Sequence, residues 1–155
     1  MAKFGQLFLN KGVWNGKQLI SSQWVEEASK YQVPSVPAGT RPDEVEAKGL
    51  TEENCAWLLG YGYQMWRCPE NSYRADAARG QYIIVCPDKN AVIVVTADSP
   101  DLHAELSNIY KYLFPVLQRN FNIKKRACSS CNTPVFYVDY DKLILLNLFF
   151  AFVGR

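Results

Sequence analysis

Three strand-like segments follow one another in quick succession, and this feature limits the possible folds most. They are GYGYQMWRC (60–68), GQYIIVC (80–86) and AVIVVTA (91–97). Only the turn sequence PDKN separates the last two, and its Pro, Asp and Asn residues favour a tight reversal. A parallel crossover needs about a dozen residues or more, so these connections predict an antiparallel three-stranded meander.

The N-terminal segment predicts a helix followed by a β-hairpin. MAKFGQLFLN places Phe4, Leu7 and Phe8 on one helical face. No Ser, Thr, Asp or Asn precedes this pattern as an N-cap, so we expect the helix to belong to a longer parent protein. Asn15-Gly16 between apolar residues predicts a two-residue hairpin, because both turn positions need positive φ.

Two further helices are predicted, one before and one after the three strands. Ser99 as cap and Pro100 at the first helical position start the later helix, and Pro115 should kink or end it. The earlier helix is capped by Ser21 or Ser22. Its inward-facing residues are predicted to be Trp24, Val25, Ala28 and Tyr31.

These elements predict an α+β fold, in which the meander and the N-terminal hairpin form an antiparallel sheet packed with helices. A polar, proline-containing stretch over 32–56 predicts a long surface loop. Residues 1–121 are predicted to form one domain. From residue 122 the start and stop signals disappear, so 122–155 is predicted to be an atypical tail, disordered or loosely packed.

Charge and cysteine content narrow the partners and the compartment. The net charge is +2, which makes no electrostatic case for a nucleic-acid partner. The longest apolar stretch, 143–153, is well short of the roughly 20 residues of a membrane-spanning helix, so we expect no membrane span. No secretory leader follows Met1, and the 5 cysteines show no regular framework, so a reduced cytoplasmic chain is the default expectation.

The stretch YRADAARG (73–80) has small residues where a strand prefers branched or aromatic ones. One interpretation is the rim of a hairpin, which is the more ordinary of the two on composition alone. The other is functional. A strand that carries Ala75, Ala77 and Ala78 leaves its backbone groups accessible to an extended substrate or an oxyanion.

Four segments in this order carry a family resemblance: MAKFGQLFLNKGVWNGKQLISSQWVEEA, GYGYQMW, YRAD with GQYIIV, and KNAVIVVTAD. Over residues 1–118 the chain resembles the C-terminal portion of β-lactamase-related serine hydrolases, the superfamily of penicillin-binding proteins and class C β-lactamases. The resemblance implies a partial β-lactamase/transpeptidase-like domain. It also implies acyl transfer on amide or ester substrates without a metal or another cofactor.

The resemblance places part of a catalytic site on the small-residue stretch. The third motif of the superfamily lies on the strand that lines the pocket, and it corresponds to Ala75-Asp76-Ala77 here. The backbone N–H of Ala78 would then be the second donor of the oxyanion hole. Ala77 stands where relatives have glycine, and Arg79 stands where they have phenylalanine.

The remaining motifs of the superfamily are absent. The chain contains no Ser-x-x-Lys, which supplies the nucleophile, and no Tyr-x-Asn, which assists proton transfer. We therefore expect an inactive fragment, since removing a covalent nucleophile costs about 10⁶-fold in rate. Its expected partner is the missing N-terminal half or a second copy, and in many relatives the parent protein is exported.

An alternative from another class is a non-catalytic interaction module. In this interpretation an exposed face of the sheet binds the partner through apolar and aromatic side chains. The residues predicted to form that surface are Tyr61, Tyr63, Trp66 and Tyr82.

A third interpretation is a zinc or redox protein. Cys128-x-x-Cys131 supplies half of a zinc site, but no second Cys-x-x-Cys motif exists. The single histidine, His103, lies far from this pair in the sequence and is predicted to be a surface residue of the last helix. We therefore interpret the two cysteines as incidental.

Overall fold

The computed structural model describes residues 1–118, 127–128 and 131–139. It confirms the α+β class, with helices packed on sheets that are mainly antiparallel. The helices are α1 (Ala2–Leu9), α2 (Ser22–Ser29), α3 (Leu102–Asn108) and α4 (Phe114–Gln118). The strands are β1 (Val13–Trp14), β2 (Lys17–Gln18), β3 (Trp66–Arg67), β4 (Tyr73–Ala77), β5 (Gln81–Cys86), β6 (Ala91–Thr96), β7 (Ala127–Cys128) and β8 (Cys131–Asp139).

The main sheet of the described residues has the order β3-β4-β5-β6-β8-β7. Strands β3 to β6 are antiparallel to their neighbours, whereas β8 pairs with β6 in parallel. The predicted strand over 60–68 is much shorter than expected, because Gly60 and Gln64 have positive φ and Gly62 N–H donates to the Met65 carbonyl at 2.7 Å. Only Trp66–Arg67 remains as β3.

The stretch over 73–85 is two strands joined by a turn, not one strand with an unusual start. β4 and β5 pair from Tyr73↔Val85 to Ala77↔Gln81. Arg79 and Gly80 in the turn have φ of 69° and 84°. The meander therefore contains β4 in addition to the three predicted strands.

The N-terminal hairpin lies outside the main sheet, as a two-stranded sheet of β1 and β2. Its turn residues Asn15 and Gly16 have φ of 48° and 75°, as the prediction requires. The hairpin is confirmed, but it does not extend the meander.

Helix α1 covers one face of the main sheet. Phe8 is buried there, and its ring meets the ring of Tyr73 edge-on at 6.5 Å. Gly5 faces the sheet so closely that a Cβ atom would lie 2.8 Å from Cγ2 of Ile83. Phe4, which the sequence places on one helical face with Phe8, is 46% exposed, while Gly5 lies against the sheet.

Helix α2 is capped by Ser21, whose Oγ accepts from the Trp24 N–H at 3.1 Å. Val25 and Ala28 are buried as predicted. Trp24 and Tyr31 are 50% and 57% exposed, so the prediction that they face inward is wrong. The apolar stripe of this helix is narrower than its composition indicated.

Helix α3 and the segment after it cover the other face of the sheet. The cap of α3 is Asp101, whose carboxylate accepts from the Ala104 N–H at 2.9 Å, so the helix starts later than Ser99 predicted. A π-helical turn over Ile109–Leu113 leads directly into α4, where Pro115 lies. Pro115 has no N–H to donate to the preceding turn, and that turn is π-helical. The proline is therefore accommodated by a wider turn, and the helical segment does not end there. The core on this face includes Tyr82, Ile84, Ile93, Val95, Leu106, Ile109 and Phe114.

Part of the 122–155 segment lies in β7 and β8, where Cys128 and Cys131 are opposite each other in the register. The apolar stretch 143–153 lies outside the described residues. Among the described residues, no helix is long and apolar enough to cross a membrane. The boundary at residue 121 stays a prediction.

Candidate functional site

The outer edge of β4 is the candidate site. β3 pairs only with the first part of β4, through Trp66↔Arg74 and Arg67↔Tyr73. Within the described part of the chain, the last three residues of β4 have a strand partner on the β5 side only. These three residues are Ala75, Asp76 and Ala77, so the predicted residues lie together along one open edge.

The β4 edge ends in the exposed turn that leads to β5, and this turn is bonded to the segment before α3. Ala77 and Ala78 are exposed, and Ala78 begins the turn rather than continuing the strand. The Arg79 carbonyl accepts from the Ser99 N–H at 2.9 Å, and the Arg79 side chain forms an exposed ion pair with Asp98. Arg79 therefore points away from the core, at the position where relatives are expected to have phenylalanine.

The carboxylate of Asp76 faces inward and contacts a buried arginine. Asp76 Oδ2 lies 3.0 Å from Nε of Arg74, and the two side chains are 9% and 0% exposed. Burial raises the pKa of Asp76 and the charge of Arg74 opposes this rise, with a net pKa above the usual one. Asp76 therefore anchors the strand to the core and does not point at the open edge.

Arg74 fills the core beside the two tryptophans. Its guanidinium carbon lies 4.8 Å from the ring centre of Trp57 and 5.5 Å from that of Trp66, within range of cation–π attraction. Nη1 donates to the Arg67 carbonyl at 3.3 Å and lies 3.3 Å from Sγ of Cys68. Nη2 is buried and has no hydrogen-bond partner among the described residues.

Glu105 on α3 is a second buried carboxyl group near this pair. It is 1% exposed, and neither of its oxygens has a hydrogen-bond partner among the described residues. Its carboxyl group occupies the space beside Gly80, where an added Cβ atom would overlap Oε2. Burial and then the negative charge of Asp76 raise the pKa of Glu105 to about 7.

Sequence reasoning missed Arg74, Gly80 and Glu105. The signal available for Gly80 was its place between Arg79 and a strand, since glycine after a charged turn residue is typical of a three-residue hairpin loop. Arg74 and Glu105 are charged residues, which are expected at the surface unless a tertiary partner is known. Nothing local in the sequence marks them as buried.

The metal and redox interpretations gain no support among the described residues. No group of three or more His, Cys, Asp or Glu side chains in that part of the chain is placed to hold a metal ion. Cys55, Cys68 and Cys86 are buried free thiols, and burial raises the pKa of Cys86 to about 12. For Cys128 and Cys131 the described backbone gives the register alone.

Two clefts lie away from the β4 edge. One, of about 480 Å³, lies between the 52–57 loop and α3, where His103 stacks on Trp57 with 6.2 Å between ring centres. The other, of about 630 Å³, lies between α1, α2 and Arg67. Neither cleft is lined by Ala75–Ala78.

The aromatic residues predicted to form an exposed sheet face are distributed differently. Tyr82 is fully buried under α3, so its predicted exposure is wrong. Tyr61 and Trp66 are half-buried against each other at 4.7 Å between ring centres. Tyr63 is 47% exposed and stacks on Trp24 at 5.5 Å.

No protein-family model matches the chain, and no curated protein matches it. A solved structure that it resembles is described as "Putative 6-aminohexanoate-dimer hydrolase from Bacillus anthracis", with 24% sequence identity and a TM-score of 0.51. The likeness covers 76% of this chain but 28% of the hydrolase. The chain therefore shares the fold of part of that hydrolase.

Proposed function

We propose that this chain supplies the sheet-strand wall of the acyl-transfer pocket of a β-lactamase-related serine hydrolase. The observation that carries the proposal is the outer edge of β4 over Ala75–Ala77, which has no strand partner on that side among the described residues and leads into the exposed Ala78. The shared fold with a hydrolase supports it.

In this proposal the wall acts through its backbone. Acyl transfer passes through a tetrahedral intermediate whose oxyanion is stabilised by backbone N–H donors. Ala78 lies at the exposed end of the β4 edge, where its N–H would be one of these donors. The backbone groups of Asp76 would bind the substrate as a neighbouring strand does. The Ser72 carbonyl accepts from the Cys68 N–H on the outer side of the strand. Alternate residues face the same side, so the backbone groups of Asp76 face the open edge, while those of Ala75 and Ala77 face β5.

The nucleophile must then come from another polypeptide segment. The chain has no Ser-x-x-Lys and no Tyr-x-Asn, so we expect no acylation by the chain alone. The expected complement is the N-terminal part of such a hydrolase, which would also close the second wall of the pocket.

The decisive experiment is intact-mass measurement after incubation with a penicillin and with an activated ester. The chain alone should form no adduct, whereas co-expression with a Ser-x-x-Lys-bearing half should give one stoichiometric adduct on that half. A single adduct on the chain alone would contradict the proposed division of roles. Failure of every tested half to acylate would contradict the hydrolase assignment.

A second candidate function is a non-catalytic interaction module, and one observation favours it. Trp24 and Tyr63 stack on each other while remaining 50% and 47% exposed, so they present a rigid aromatic surface to solvent. Such aromatic pairs are typical anchors of protein interfaces. Sedimentation velocity of the chain and of a Trp24→Ser variant tests self-association, and equal, concentration-independent profiles would exclude it.

A further inference from the structure

Glu105 is placed where its protonation state bears on the turn between β4 and β5. The carboxyl group lies against Gly80, the last residue of that turn. No described group donates a hydrogen bond to either of its oxygens. A buried carboxylate without donors is costly, so this position favours the neutral acid.

The turn is also tied to the segment that leads into α3. The Gly80 carbonyl accepts from the Ala97 N–H at 3.1 Å, and the Arg79 carbonyl accepts from the Ser99 N–H at 2.9 Å. Helix α3 starts shortly after that segment and carries Glu105. The contact of Glu105 with Gly80 therefore completes a closed set of contacts around the turn.

We infer that Glu105 is a positioning residue, which holds the β4–β5 turn against α3 as the neutral acid and releases it on ionisation. The inference rests on the proposed function only for its consequence, which is that Ala78 and the end of the β4 edge lose their fixed position. The release of the turn itself does not depend on any hydrolase activity.

The charges around Glu105 oppose its ionisation. Asp76 is a second buried carboxyl group, on β4. Burial is the main cause of the raised pKa of Glu105, and the negative charge of Asp76 is the second cause. Arg74 donates no hydrogen bond to Glu105, since its Nε is engaged with Asp76 and its Nη2 has no hydrogen-bond partner among the described residues. The ionisable groups on the elements that adjoin the β4–β5 turn are Tyr73, Arg74 and Asp76 on β4, Arg79 in the turn, Tyr82 and Cys86 on β5, and Asp98 and Asp101 before α3. Of these, Asp76 raises the pKa of Glu105.

Ionisation of Glu105 makes its buried position against the β4–β5 turn unfavourable. A charged Glu105 would have no hydrogen-bond donor among the described residues and would be repelled by Asp76, whereas an opened turn would let water solvate it. The equilibrium between closed and open turn should therefore shift with pH between the ordinary pKa of a glutamate and about 7.

Hydrogen–deuterium exchange of the full chain at pH 5 to 8 tests this inference. After correction for intrinsic exchange, we expect protection of the 77–81 amides to fall on the order of 50-fold over this range, as proton linkage predicts. Glu105→Gln, which keeps the shape without the charge, should stay protected at every pH. Glu52→Gln, an exposed control, should behave like the wild type. Protection that does not change with pH, or a Glu105→Gln variant with the wild-type pH dependence, would overturn the inference.

A measurement on the wild type covers the case in which Glu105→Gln does not fold. The side-chain carboxyl carbon of Glu105 and the amide of Gly80 should titrate in NMR spectra with one common midpoint. Separate midpoints, or a Glu105 midpoint in the ordinary range of a glutamate, would overturn the inference. These readouts need no substrate, so they are independent of the acylation experiment that decides the proposed function.

Discussion

Arg74 and Asp76 lie two residues apart on the same face of β4 and form a buried ion pair, with 3.0 Å between Nε and Oδ2. The two side chains lie on the sheet face that α3 covers and do not point toward the open edge, so the pair fixes the strand from within the core. Arg74 cannot lose its charge, so the pair keeps a permanent cation in the core.

Arg74→Met should therefore destabilise the chain strongly. Removing Arg74 leaves the carboxylate of Asp76 buried and without an opposite charge, which costs about 3–5 kcal/mol. The measurement is the free energy of unfolding from urea titration. Arg79→Met, which removes the exposed pair with Asp98, is the matched control and should leave the free energy of unfolding nearly unchanged, because solvent screens an exposed pair. Equal losses in the two variants would contradict the structural role of the buried pair.

Gly80→Ala should cost more than Gly16→Ala, although both glycines have positive φ, 84° and 75°. Alanine at positive φ costs about 1 kcal/mol, and at Gly16 no other atom lies within 4 Å of the added Cβ. At Gly80 the Cβ atom overlaps Glu105 as well, which should raise the loss to about 3 kcal/mol. Unfolding free energies of both variants decide this, and a smaller loss at Gly80 would show that Glu105 moves aside freely.

Stability should fall as pH rises from 4.5 to 7. The pKa of Glu105 is raised to about 7 in the folded chain from a usual value of 4.5, so the folded state holds a proton that the unfolded state has lost. Its contribution is complete below the unfolded pKa and is lost as pH passes the folded pKa, with a total of about 3 kcal/mol. Asp76, whose pKa is also raised, acts in the same direction. Glu105→Gln should flatten most of this slope in urea titrations, and an unchanged slope would assign it to other groups.

Gly5→Ala should destabilise the chain although alanine is the better helix former. Helix propensity favours alanine by about 1 kcal/mol. The added Cβ would lie 2.8 Å from Cγ2 of Ile83 and 2.5 Å from Cγ1 of Val92, and such overpacking costs about 1–3 kcal/mol. We therefore expect a net loss in thermal unfolding, and a gain would mean that α1 shifts without cost.

Ala78→Pro tests the proposed oxyanion donor in a complemented enzyme. Proline removes the backbone N–H, and loss of one such donor should lower kcat about 10²- to 10³-fold. Ala78→Ser keeps the N–H and is the control, with kcat close to that of the wild type. If proline and serine variants turn over equally, another backbone N–H is the donor.

The local rules of sequence analysis succeeded where one short segment determines its own geometry. Asn15-Gly16 formed its hairpin, Ser21 capped α2 as one of the two serines proposed, and the PDKN turn ended with Asn90 at a φ of 47°. Each of these depends on a few residues that are adjacent in the chain, so no tertiary information was needed.

The failures lie where distant residues decide. YRADA forms a strand despite its small residues, because β5 pairs with all five of them and Arg74 packs between Trp57 and Trp66. Trp24 was predicted to be buried from its place in a helix, but its ring stacks on Tyr63 at the surface. The carboxyl group of Glu105 is buried in the space that a side chain at position 80 would fill. The two residues are 25 positions apart in the chain, so no sequence periodicity reveals their contact.

The short open edge of β4 also bears on the solubility of the chain. An unpaired strand edge is a template on which further copies can add, and natural proteins limit this risk by keeping such edges short and by placing charges beside them. Here the edge is limited to Ala75–Ala77, and the Arg79–Asp98 pair stands at its end. The open edge that the proposed site requires is therefore only three residues long. An edge this short is a poor template for strand pairing between molecules, and so for fibril growth.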